Sequence, residues 1–250
     1  MQYRKLPVNN LSLLFIFYGA AAQISAQPIS ITLNADFVSR YIWQGINLND
    51  APNIQPSITM KVRGLQCGFW GSYGLTHLNS IDAHYNSSQE IDTWGSYTID
   101  GPNKSSLTAI ITDYYFANSG IRIGNFNNYN NKNGPGAHII EAGLTMGGPE
   151  SFPILISGCI NVYNDKGNNM YIYAEYGFKV DDASISIFTG TTPGSQENPL
   201  YNTDRFSIIN IGLKASKQIK ISESYSIPVY CSYILNPNME ISYLVFGITL

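Results

Sequence analysis

Charge is scarce in this chain. Only 12% of its 250 residues are Asp, Glu, Lys or Arg, and the formal net charge is −3. No basic block is present to sit on phosphates, so nucleic acid is excluded as a partner. Cysteine is nearly absent and odd in number. Cys67, Cys159 and Cys231 each lie inside a strand-like run without paired spacing, and read as small buried residues rather than a disulfide framework or metal ligands. Histidine is limited to His77, His84 and His138. No Gly-x-Ser-x-Gly elbow occurs, and no cofactor or metal is implied. The set His77, Asp82 and His84 falls in a segment that reads as a solvated loop, not a metal site. After residue 26 no apolar run reaches 18 residues, which excludes a helical membrane protein.

The first 26 residues form a separate object. Arg4 and Lys5 precede the apolar run 11–22, and Ile24-Ser25-Ala26 follows. A charged start, a short apolar middle and a small-residue exit predict a secretory signal peptide over 1–26 and an exported chain over 27–250.

What the remainder holds is alternation. In 29–44 the odd positions Ile29, Ile31, Leu33, Ala35, Phe37, Tyr41 and Trp43 are apolar, whereas Ser30, Thr32, Asn34, Asp36, Arg40 and Gln44 are polar. Period two recurs along nearly the whole chain and predicts twelve strands. They run over 29–44, 54–63, 66–76, 89–99, 105–116, 137–147, 151–163, 169–179, 183–191, 205–216, 218–235 and 240–250. Connections after even-numbered strands are short, and those after odd-numbered strands are often long. An even strand count with short turns on one rim and long loops on the other predicts a single all-β antiparallel transmembrane barrel, with periplasmic turns and extracellular loops.

The apolar row of nearly all these strands carries no charge, as a bilayer would enforce, although the buried face of a soluble sandwich behaves likewise. Strand lengths near the ~9–11 residues that cross a hydrocarbon layer favour the membrane. So does the gathering of apolar-row aromatics at strand ends: Tyr41, Trp43, Tyr73 and Tyr233 toward the long loops, Tyr97, Phe152 and Phe178 toward the short turns. That placement predicts two interfacial girdles in contact with outer-membrane lipid.

The polar row offers Asp36, Arg40, Gln44, Lys61, Glu90, Asp92, Glu141, Glu175 and Lys179 as lumen-lining residues. Opposed acids and bases there would filter small hydrophilic solutes by charge and size, or would simply pair with one another. Glu90 and Asp92 stand about 6–7 Å apart on one strand, a separation that superficially suits a glycosidase pair, but a lining role fits the pattern of every other strand. The Asn- and Gly-rich stretch 125–136 is a long outer loop that reads as mobile, an inward constriction or a ligand site.

The stretch 39-SRYIWQGI-46, the acidic pair Glu90 and Asp92, and the endings 228-PVYCSYILNP-237 and 243-YLVFGITL-250 together resemble the TorF-type putative porins of Gram-negative outer membranes. Ser39, Tyr41, Trp43, Gly45 and Ile46 match their signature, while Gln44 stands where that family usually has Arg. The resemblance implies a barrel with a channel role, inserted by the barrel-assembly machinery, and transfers no substrate and no oligomeric state. The expected function is passive passage of small hydrophilic solutes. The alternatives are a closed structural or surface-binding barrel and, with any of the three His as base, a lipid hydrolase. The barrel reading predicts strong β signal in detergent and a band that shifts on boiling before electrophoresis; recovery in the soluble fraction without detergent would contradict it.

Overall fold

The computed structural model describes residues 29–75 and 89–250; the leader expected over 1–26, together with His77, Asp82 and His84, lies outside them. Twelve antiparallel strands close into one barrel. They are β1 (Ser30–Val38), β4 (Asn53–Val62), β5 (Leu65–Gly74), β6 (Gln89–Asp100), β7 (Ser106–Phe116), β8 (His138–Gly147), β9 (Ile154–Tyr163), β10 (Met170–Val180), β11 (Ala183–Thr192), β12 (Ser207–Lys220), β13 (Ser226–Asn236) and β14 (Ile241–Thr249). Two further strands, β2 (Tyr41–Trp43) and β3 (Ile46–Asn49), pair only with each other and stand apart from the barrel sheet. Each barrel strand pairs with its sequence neighbours, and β1 meets β14 to close the ring. Closure matters because it leaves no row of unpaired backbone groups at an edge.

The alternation read from the sequence becomes an inside and an outside. Register carries Asp36 opposite Gln55, Trp70 opposite Asp92, Asp92 opposite Tyr114, Thr112 opposite Glu141 and Glu141 opposite Asn161, so the polar positions share one face around the ring. The opposite face is apolar and uncovered. Leu33, Phe69, Leu144 and Phe246 are 54–71% exposed, the reverse of a water-soluble barrel, which hides such side chains. The fully buried residues are largely polar instead, with Asn53 and Asn236 at 1%.

Two boundaries differ from the sequence reading. The first strand ends at Val38 instead of running to position 44, because the chain bends at Ser39-Arg40 and leaves the wall. The turn expected at Ser216-Lys217 lies instead at 221–225. Alternation is unbroken through that point: Leu213, Ala215 and Lys217 face out with their partners Tyr233, Cys231 and Val229, while Lys214 and Ser216 face in. Lys217 is thus an outer-row cation near the short-turn rim, where the Asp182 carboxylate of the neighbouring turn lies 2.8 Å from its ammonium. That hydrogen bond holds the Asp182 carboxyl below its ordinary range. The three cysteines are free and half-buried, so the expectation of full burial is too strong.

Inner-row aromatics lie against the wall over glycines of adjacent strands. A Cβ on Gly212 would fall 2.1 Å from the Phe188 ring, one on Gly247 2.1 Å from Tyr230, one on Gly190 2.1 Å from the Tyr171 hydroxyl, and one on Gly68 2.9 Å from Trp94. The rings replace the missing side chains and occupy wall area rather than the axis. Gly247→Val therefore forces the Tyr230 ring off the wall and should cost about 1–3 kcal/mol in denaturant unfolding from detergent. Gly177→Ala, whose new methyl would have no neighbour closer than 4.0 Å, should change the midpoint little.

Candidate functional site: an inward hairpin in the barrel lumen

The segment after β1 is tied to the interior at several points. The seam with β14 ends at Ser39, whose backbone N–H donates to the Phe246 carbonyl at 2.8 Å while its Oγ accepts from the Phe246 N–H at 3.0 Å. The chain then turns inward. Strands β2 and β3 form a hairpin with Trp43 opposite Ile46, leaving Gln44-Gly45 as a two-residue turn. Both turn residues have positive φ, +48° and +82°, which is the geometry that favours Gly at the second position and gives the tight mirror-image turn of a hairpin. At the hairpin's base the Arg40 guanidinium lies 3.1 Å from the Asp50 carboxylate, tying its entry to its exit.

Each side of the hairpin meets a different part of the wall. Tyr41 is buried, packs its ring 5.4 Å from that of Trp70 on β5, and donates its hydroxyl to Glu90 on β6. Burial, followed by the charges of Glu90 and Asp92, raises the Tyr41 phenol well above its ordinary value, so it stays a donor. Trp43 stands edge-on to Tyr114 of β7 at 5.8 Å and stacks with Tyr201, from the loop between β11 and β12, at 6.4 Å. Tyr114 in turn donates to the Glu141 carboxylate at 2.9 Å.

The tip crosses to the far side. Gln44 accepts a hydrogen bond from the Tyr201 hydroxyl and donates to the Cys159 sulfur of β9 at 3.7 Å. The Gly45 carbonyl accepts from Asn236 of β13 at 3.0 Å. A Cβ at Gly45 would lie 2.0 Å from the Ile209 carbonyl oxygen of β12, so glycine is required by contact as well as by φ. Nearby, Asn210 donates to the Tyr171 hydroxyl at 2.9 Å. The hairpin thus reaches from β5 and β6 to β9, β12 and β13.

Most of the expected lining residues are on the inner wall: Asp36, Lys61, Glu90, Asp92, Glu141, Glu175 and Lys179 all share the inner register. They do not form one ring of opposed charges. Glu90 and Asp92 near the start of β6 and Glu141 near the start of β8 are on the long-loop half, where the hairpin sits. Lys61 and Lys179 are next to last in β4 and β10, at the short-turn rim. Among the described residues none of these charges is in an ion pair within 4.0 Å; Glu175 is held by the Tyr173 hydroxyl. Lys214, which the sequence reading did not single out, also faces inward and lies 4.3 Å above the Tyr230 ring.

Two expectations are corrected. Tyr41 and Trp43 are not girdle aromatics on the outer face; the bend at Ser39-Arg40 carries both into the lumen. Arg40 and Gln44 are not further steps of an inner-row column above Asp36, since the first ties the hairpin base and the second is its tip. The outer-face placement holds for Tyr73, Tyr97, Phe178 and Tyr233 on their strands, and Phe152 is exposed in the turn before β9. The inner-row Tyr114 and Tyr171 follow from strand parity, whereas Tyr201, in an irregular loop, carries no periodic signal.

These features define a closed antiparallel β-barrel with a polar interior crossed by its own hairpin. Over residues 22–227 the chain matches the family described as "Bacterial protein of unknown function (Gcw_chp)", and it belongs to that family. No curated protein matches the chain. A bacterial protein built as a closed twelve-strand β-barrel fits an outer-membrane location.

The packing of the tip predicts that Gly45→Val displaces the hairpin from the wall. With Trp70→Phe and Trp94→Phe leaving Trp43 as the sole tryptophan, acrylamide quenching of its fluorescence should rise markedly on adding Gly45→Val. Unchanged quenching would contradict the close contact with Ile209.

Proposed function

We propose that this protein is an outer-membrane channel of the TorF-type porin kind, passing small hydrophilic solutes through a lumen narrowed by the hairpin 41–49. The observation that carries the reading is an interior of charged and polar side chains behind an exposed apolar exterior, with one inward element in the path. An exterior of exposed Leu, Ile and Phe is stable against lipid tails and costly against water. A twelve-strand barrel is wider than the eight-strand kind that side chains alone fill. The aromatic rings that lie on wall glycines support an unfilled axis below the hairpin. Asp92 Oδ1 and Asn210 Oδ1 have no protein donor, positions suited to water inside the lumen.

The charge layout gives the channel a sense. A solute entering from the long-loop side meets Glu90, Asp92 and Glu141 beside the hairpin, then lysines toward the short-turn rim. The narrowest zone is acidic, so cations pass it preferentially. The tight seating of the hairpin tip supports a second reading, a barrel held closed until the hairpin moves. His138 supports no hydrolytic reading: its Nδ1 is 2.9 Å from Asp113 and its Nε2 2.6 Å from the Ile123 carbonyl, so both ring nitrogens are already engaged by oxygens of the protein itself.

Planar-bilayer recording separates the readings. The channel predicts discrete steps with a reversal potential of weak cation preference, and a larger step when 41–49 is replaced by a short Gly linker. A closed barrel predicts steps only from the shortened chain. Silence from both chains would sink the channel reading.

A further inference from the structure

The longest described loop, 117–137, leans on the outer side of the wall. Asp113 and Tyr115 of β7 alternate with the inward Thr112 and Tyr114, so both face outward; His138, opposite Tyr115, and Tyr163, opposite Ile140, face outward with them. The loop is clamped onto these outward groups. His138 is 4% exposed, stacked on Phe126 at 4.0 Å and on Tyr115 at 5.6 Å, and held by Asp113 and the Ile123 carbonyl. The Tyr163 hydroxyl donates to the Phe126 carbonyl. The loop's return arm is pinned by backbone bonds from Gly136 to Asn127 and from Ala137 to Asn125.

So clamped, the loop turns apolar side chains outward. Ile123 is 61% and Phe126 58% exposed on the outward side of the wall, where Ile111, Leu144 and Met146 further along β7 and β8 are also exposed. Arg122 and Lys132 are exposed and make no ion pair among the described residues, and residues 117–137 contain no Asp or Glu. An open hollow lined by Arg122, Ile123, Gly124 and Asn125 adjoins them. Apolar anchors that continue the barrel's outer wall, beside unpaired cations in a chain of net charge −3, match the boundary between acyl chains and phosphorylated headgroups.

We propose that loop 117–137 is an anionic-lipid clasp: Ile123 and Phe126 sit at the acyl boundary while Arg122 and Lys132 bind headgroup phosphates of the surrounding leaflet. Resting on the outer-membrane reading, it assigns the loop to the lipid around the barrel rather than to the solute path. Its test uses the full detergent-solubilised chain titrated with phosphatidylglycerol or phosphatidylcholine and followed by native mass spectrometry. The wild type should retain phosphatidylglycerol preferentially. Arg122→Gln with Lys132→Gln should weaken that retention ~30-fold, from about 1 kcal/mol per cation. Lys104→Gln, in the turn between β6 and β7 at the opposite rim, should leave it unchanged. Equal retention of the two lipids, an unaffected double variant, or displacement of the lipid by inorganic phosphate alone would each overturn the clasp. A chain that still inserts and shifts on boiling in those cases keeps the membrane reading; a chain that never enters detergent micelles fails both.

Discussion

The seam between β1 and β14 is the constraint on which the rest of the structure depends. It is short: Asp36, Phe37 and Val38 pair with Thr249, Ile248 and Gly247, flanked by the reciprocal bonds of Ala35 and Leu250 at 3.1 and 2.9 Å. Without it, two strand edges would carry unpaired backbone groups, which an apolar surrounding tolerates only at several kcal/mol each. The same seam places the hairpin. Ser39 makes its last two bonds, and the chain immediately beyond it is free of the wall, in the ring's interior, one residue from Arg40. Closure and constriction are therefore coupled through one stretch of backbone.

The interior is organised by what each half must satisfy. On the long-loop half, carboxylates are capped by tyrosine hydroxyls: Tyr41 on Glu90, Tyr114 on Glu141. Phenols suit this role because they donate without adding charge, and their rings supply the area against which Trp43 packs. On the short-turn half, the inward Lys61 and Lys179 make no ion pair among the described residues, and Lys214 instead lies over the Tyr230 ring. A lumen in which opposite charges had collapsed into ion pairs would present little field along its axis. Here the acids and bases are separated along the strands, which leaves a field along the axis.

Much of this was legible in the sequence because a barrel repeats one rule. Period two, charge kept off one row, and alternation of short and long connections specify twelve strands, the two faces and the inner acids. The hairpin was not legible for a specific reason. Tyr41 and Trp43 keep the same parity as Phe37, so a strand that continues and a strand that bends at Ser39-Arg40 and pairs with itself read alike. The distinguishing mark was Gln44-Gly45, a two-residue turn whose glycine could have been weighed as a hairpin signal. The Ser216-Lys217 boundary failed differently: a lysine in the apolar row looked like a turn, whereas Asp182 from the next turn accommodates it at the rim. Tyr201 and the clamped loop 117–137 depend on contacts distant in sequence, which periodicity does not encode.

The central claim is that the hairpin tip lies against the inner wall at β9, and a cross-link tests it most directly. Gln44 donates to the native Cys159 sulfur at 3.7 Å, so Gln44→Cys in a chain with Cys67→Ser and Cys231→Ser places two thiols together in the lumen. The account predicts that a short bis-maleimide joins them in the folded protein, detected as an internally linked peptide pair by mass spectrometry and abolished by Cys159→Ser. Efficient labelling of the introduced thiol by a bulky reagent from outside, with no link to Cys159, would contradict it and return Tyr41 and Trp43 to the outer face.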